Sequence, residues 1–115
     1  SRTILALLGG EPHDAAEAMR KIAGGDLGVD VPLKKDDKTS LMASLKFMQV
    51  KLKNLTTAIH GNATSLSSQV NQFDDATKSF AEERSDESLS AILRAVKNLG
   101  KTAGMLEKSI ARFKL

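Results

Sequence analysis

The sequence predicts an all-α protein: a parallel homodimeric four-helix coiled-coil bundle, followed by a coiled-coil helix or a short antiparallel helical hairpin. Three observations predict it. Apolar residues recur at alternating steps of three and four over most of the chain, the spacing of a helical seam. Leu, Ile, Met, Val and Ala fill those seams, and the aromatics among the 115 residues are four Phe, with no Trp and no Tyr. A globular core draws on larger aromatic anchors, whereas a long thin bundle does not. The seams are also narrow, so a lone chain leaves one side of each uncovered, and two copies close them into a bundle.

Residues 1–8 are a short apolar run that starts abruptly. We read it as the cytoplasmic end of a membrane helix, with Arg2 where a cytoplasmic flank carries positive charge. The other reading is the frayed start of a core helix. No run approaches the ~18 apolar residues of a membrane span. Gly9-Gly10 interrupts this run. Pro12, a residue well tolerated at a helix start, then begins a seam with Ala15, Met19 and Ile22 at steps of 3, 4 and 3. The first helix of the bundle is expected over 11–23, and Gly24-Gly25 stops it, since Gly adopts positive φ at no Cβ cost.

Residues 26–36 are not helical in pattern. Leu27, Val29, Val31 and Leu33 alternate with Gly28, Asp30 and Pro32. Pro32 forbids a helix interior, and a lone strand has no second strand to pair with. An extended connector pinned by Leu27 and Val31 fits better. Asp36-Asp37 offers an N-cap and favourable charge for the next helix. Leu41, Leu45, Met48, Leu52, Leu55 and Ile59 then run at steps of 4, 3, 4, 3 and 4, the strongest periodic signal in the chain. Lys34, Lys35, Lys38, Lys46, Lys51 and Lys53 lie off this seam as solvated positions, and Met42 and Phe47 widen the buried face.

At Ile59 the phase shifts to Ala63, Leu66, Val70, Phe73 and Phe80, a stutter with Gly61 at the junction. Residues 82–88 carry no apolar side chain, and beyond them Leu89, Ile92, Val96, Leu99, Ala103, Leu106, Ile110 and Phe113 form an unbroken seam out of phase with the previous one. A turn at 82–88, with Ser85 capping the new helix, explains this better than a continuous helix that changes face. The expected organisation is therefore an end segment 1–8, a bundle domain 9–59 and a coiled-coil extension 60–115.

Chemistry-bearing constellations are sparse. The net charge of +3, from 17 basic and 14 acidic residues, is interspersed and suits a solvated helix surface better than a nucleic-acid partner. Without Cys there is no disulfide, thiol catalysis or Cys-ligated zinc. His13 and His60 lie far apart in the sequence, which argues against a metal site, and His60-Gly61-Asn62-Ala63-Thr64 lacks the acid and Pro of a phosphoacceptor context. A Ser/His/Asp triad needs a pocket that narrow-seam helices do not offer. Gly9-Gly10-Glu11-Pro12 lacks the Gly-Lys-Ser/Thr end of a phosphate loop. We expect no enzyme, no cofactor, no metal and no small-molecule substrate.

The run Arg20-Lys21-Ile22-Ala23-Gly24-Gly25-Asp26-Leu27, with Pro12 before it, Val31 four residues after Leu27, and Ser44-Leu45-Lys46-Phe47-Met48-Gln49 beyond, resembles the HAMP domain of bacterial sensor proteins. The resemblance covers residues 7–59. It implies a parallel dimeric bundle in which Gly25, followed by Asp26, makes the turn, and Leu27 and Val31 pin the connector. Ala15, Met19, Ile22, Leu41, Leu45, Met48, Leu52, Leu55 and Ile59 are then its core. The family carries Glu followed by an apolar residue where this chain has Asp37 and Lys38, so an acid is kept and a core layer at the first turn of the second helix is weakened.

The remainder is similar to the cytoplasmic part of a methyl-accepting chemotaxis protein, on the residues Leu7-Leu8-Gly9-Gly10-Glu11-Pro12 and Ile110-Ala111-Arg112-Phe113-Lys114-Leu115. That resemblance implies a membrane-embedded parent acting at the cytoplasmic side of the bacterial inner membrane, this chain itself being soluble. The kinase-contacting tip signature, a Glu-Ala-Ala-Arg-Ala-Gly-Glu type run, is absent, which implies a shortened hairpin without that contact. Glu82-Glu83 are similar to paired methylation sites, although Asp86 stands where a small residue is expected and a polar turn is the simpler reading.

Together these readings predict a relay that turns helix motion into altered bundle packing. Met19 and Met48 are adaptable core residues able to serve two packings. The alternative is a soluble dimeric coiled-coil adaptor that binds a partner helix.

Overall fold

The computed structural model describes residues 2–114, and of Arg2 the backbone alone. The charge-flank reading of Arg2 and the terminal Leu115 therefore lie outside the described side chains. Helices α1 (Arg2–Leu8), α2 (Pro12–Ala23), α3 (Leu41–Glu82) and α4 (Asp86–Ile110) follow one another, and no strand occurs among the described residues. No described helix is long and apolar enough to cross a membrane. The chain divides into two compact units, Ser1–Asn54 and Leu55–Leu115.

In the first unit, α2 opens with Pro12 at its first turn and Asp14 beside the orphan N–H groups. It closes in a Schellman arrangement. Gly25 takes φ of 97°, its N–H donates to the Ile22 carbonyl at 3.0 Å, and the Asp26 N–H donates to the Lys21 carbonyl at 2.9 Å. Asp26 then bends the chain again, its carboxylate accepting from the Gly28 N–H at 3.0 Å.

The core joins α2, the connector and α3. Ala15, Ala18, Ile22, Val31, Met42 and Leu45 are buried together, with Leu27, Val29 and Leu52 packed against them. Each large side chain fully buried there stabilises the unit by about 1.5–3 kcal/mol. The two helices run in the same direction. Gly10, before α2, lies against Met42 near the start of α3, and Leu27, just past the end of α2, is held by Gln49 further along α3. The connector is what allows this, since it returns the chain to the starting end.

The buried face differs from the expected seam. Ala15, Ile22 and Leu45 are buried and Leu52 and Leu55 half-buried, but Met19, Leu41, Met48 and Ile59 are exposed, and Ala18, Met42 and Gln49 take the inward positions. Two helices touching along one line use one flank of each seam, which leaves the other flank open. Phe47 does not widen the buried face: it is 70% exposed.

In the second unit α3 continues without a break through Gly61 to Glu82, and α4 begins at Asp86. The turn is capped reciprocally. The Ser88 N–H donates to the Ser85 hydroxyl and the Ser85 N–H to the Ser88 hydroxyl, each at 3.1 Å. Thr102 donates its hydroxyl to the Gln69 side-chain carbonyl at 2.7 Å, and the small residues Ala76 and Ala95 are buried, so α4 runs back along α3. Leu89, Val96 and Ile110 of the expected seam are exposed, while Ile92, Leu99, Leu106 and Phe113 are half-buried.

Candidate functional site: the connector clamp and the Gly9 junction

Val31 is buried and Leu27 half-buried, whereas Gly25 and Asp26 are exposed and shape the turn rather than contact the core. What grips the connector most directly is Gln49. Its side chain is 1% exposed, on the same helical line as Met42, Leu45 and Leu52. Its amide N–H groups donate to the Leu27 carbonyl at 3.1 Å and to the Val29 carbonyl, and its carbonyl accepts from the Lys46 ammonium at 3.2 Å. Carbonyls two residues apart in an extended chain face the same side, so one amide reaches both. Every polar group of Gln49 is thereby satisfied, the condition under which a buried amide specifies a register.

The second device is the entry to α3. Asp37 was expected to cap it, but α3 starts at Leu41 and Ser40 is the cap, its hydroxyl accepting from the Ala43 N–H at 3.1 Å. Asp37 holds the cap instead. Its carboxylate accepts from the Thr39 N–H at 3.2 Å, the Ser40 N–H at 3.1 Å and the Ser40 hydroxyl. The Ser40 hydroxyl, joined by its N–H, holds the Asp37 carboxyl below its ordinary value. Lys38 lies ahead of α3, so it does not weaken a helical core layer.

Gly9 fits against this cap. It takes φ of 78°, and a Cβ there would lie 2.2 Å from the Ser40 Oγ and 2.7 Å from an Asp37 carboxylate oxygen. A side chain is therefore excluded by backbone conformation and by contact together. Gly9, just past α1, is seated against Ser40, just before α3.

Around these devices an apolar stripe stands exposed. Met19 is 46% and Met48 40% exposed, with Leu41 beside them in sequence register. Glu82 and Glu83 are exposed where α3 ends, and the Glu83 carbonyl accepts from the Ser88 hydroxyl at 2.7 Å, which ties the pair to the turn. His13 is exposed and lies 3.5 Å from Glu17. No described group of three or more His, Cys, Asp or Glu is placed to hold a metal ion.

No family model, curated protein or solved structure matches this chain.

Proposed function

We propose that this chain is a signal-relay module of the HAMP type, working as a homodimer in a chemoreceptor-like sensor on the cytoplasmic side of a bacterial membrane. One observation carries the reading: two parallel helices whose extended connector is clamped by Gln49, with the flank bearing Met19, Leu41 and Met48 left uncovered. A second copy packed on that flank completes four helices around one core. Motion entering through α1 reaches the cap of α3 at Gly9, and the connector's hold on Gln49 sets which packing is favoured. The unit 55–115 then acts as a shortened hairpin that receives the change.

Cysteines placed singly at Met19 and Met48 test the dimer. Efficient disulfide dimers at both, with little at the buried Ala18 and Met42, are expected. A chain that stays monomeric and uncrosslinked sinks the reading. The relay itself is tested by placing the chain between a receptor's membrane segment and its kinase, where changes at Gln49 or Leu27 must alter output.

A second reading, an adaptor for a partner helix, draws on an apolar groove of about 190 Å3 in the second unit, lined by Ile59, Ala63, Leu66, Ala103 and Leu106. Cross-linking at Leu66 separates the two, since a self-filled groove gives dimers and an adaptor leaves the groove open.

A further inference from the structure

Outside the clamp and the stripe, one surface is unusual for a solvated helix face. Leu33, Phe47 and Val50 are 41, 70 and 44% exposed and line one groove of about 450 Å3 with Lys38 and Lys46. Lys34 is close enough to Asp37 to act on its charge, and Lys35 is exposed beside it. Lys34, Lys35 and Lys38 are exposed in the segment that holds Asp36 and Asp37, the Asp37 oxygens are already taken up by Thr39 and Ser40, and the half-buried Lys46 gives its ammonium to Gln49.

This surface is separate from the stripe that a second copy would cover. At about 100° per residue, Phe47 stands about 200° around α3 from the buried Leu45 and about 100° from Met48 of the stripe. It points away from the core, where bundle formation leaves it bare. Its neighbour in space is the end of α1: Gly9 rests on Ser40 and Asp37, in the segment that carries Lys38, and α1 itself exposes Ile4 and Leu7, at 57 and 68%. Exposed apolar side chains ringed by lysines, at the end of the unit from which an apolar helix departs, have the chemistry of an interfacial surface. The rings and aliphatic chains enter the acyl boundary while the ammonium groups stay at the headgroups. An acidic protein helix would use the lysines but would leave Phe47 and Leu7 without a common partner.

We propose that Leu33, Phe47 and Val50, with Lys34, Lys35 and Lys38, form a docking surface for an anionic lipid bilayer. The inference stands apart from the relay reading, since it requires no dimer.

The test is sedimentation of the full chain with phosphatidylcholine vesicles, with and without phosphatidylserine, at low and high salt. Binding that needs phosphatidylserine and falls with salt is expected. The double variant Lys34→Gln, Lys38→Gln should weaken it about 25-fold, at about fivefold per lysine. Phe47→Ser should weaken it at least ~10-fold through lost apolar insertion. Both variants change exposed side chains, and circular dichroism verifies that they fold. Equal binding to both vesicle types, binding carried by α1 alone and unchanged in these variants, or no binding at all overturns the proposal. A partner peptide captured in place of vesicles also overturns it.

Discussion

Gln49 donates its side-chain amide to the backbone carbonyl of Leu27 at 3.1 Å, 22 residues back along the chain, and so ties the first turn of the connector to the core of the first unit. The Gln49 end of the bond is buried, Leu27 is half-buried, and the same amide also serves Val29. Replacing Gln49 with Leu strands two carbonyls. We expect a loss of about 1–3 kcal/mol in denaturant unfolding, with faster hydrogen exchange over 27–31. Gln49→Glu should be worse, because it sets carboxylate oxygens against carbonyl oxygens. Unchanged exchange in the Leu variant would remove the clamp from the account.

Gly9 and Gly25 both have positive φ, yet they should respond differently to alanine. Nothing lies within 4 Å of a Cβ at Gly25, so Gly25→Ala should cost only the left-handed strain of about 1–2 kcal/mol. At Gly9 the same strain is joined by the collision with Ser40. Thermal unfolding should rank Gly9→Ala clearly below Gly25→Ala, and equal midpoints would contradict the seating of α1 on α3.

Asp37 gives the first unit an acid-sensitive element. Its carboxyl is held below its ordinary 3.8 in the folded chain, chiefly by the Ser40 hydroxyl. A depressed carboxyl contributes stability above the unfolded value and loses it as pH falls through the folded one. The advantage of the native chain over Asp37→Asn should therefore be level from neutral pH down to about 4 and close below that. Unfolding midpoints of the two proteins, compared across the acid range, check it. A gap that widens on acidification would be the wrong sign.

Ser85→Ala should destabilise α4 by about 1 kcal/mol, by removing the acceptor for the Ser88 N–H. The loss should appear as faster exchange at 86–89 and leave the Gln49 clamp unaffected.

Met48→Glu should abolish the proposed dimer by burying a carboxylate on the stripe, and Phe47→Glu, about 100° around α3 from Met48, should weaken it far less. Sedimentation equilibrium distinguishes them, and equal effects would place the dimer contact elsewhere.

The parts of this fold legible in the sequence are those governed by near neighbours. Gly24-Gly25 after a run of helical period can close a helix only in one way, and Ser85 ahead of Asp86-Glu87 has the chemistry of a start. Gly9 was not legible as a seat, because what excludes its Cβ is Ser40, distant in sequence. At the entry to α3 the sequence points to Asp36-Asp37 as the cap, but the helix starts further on, at Leu41. Ser40 prevails because Asp37 spends its oxygens on the residues ahead of it. Gln49 reads as solvated when only apolar positions are counted. Its place three and four residues from Leu52 and Leu45 was the available signal. Seam periodicity finds the helices but not which flank of each seam the chain covers by itself, so Met19 and Met48 fell on the uncovered side.

The seat of Gly9 against Ser40 has a mechanical meaning. Turning α1 on its axis carries Gly9 against a hydroxyl that is at once the cap of α3 and the anchor of Asp37. The contact joins residue 9 to residue 40 directly, while α1 itself also touches α2. For the proposed relay this contact is a direct route from α1 to the first turn of the long helix. The connector clamp and this junction are then two separate handles on α3, one holding its flank and the other its end.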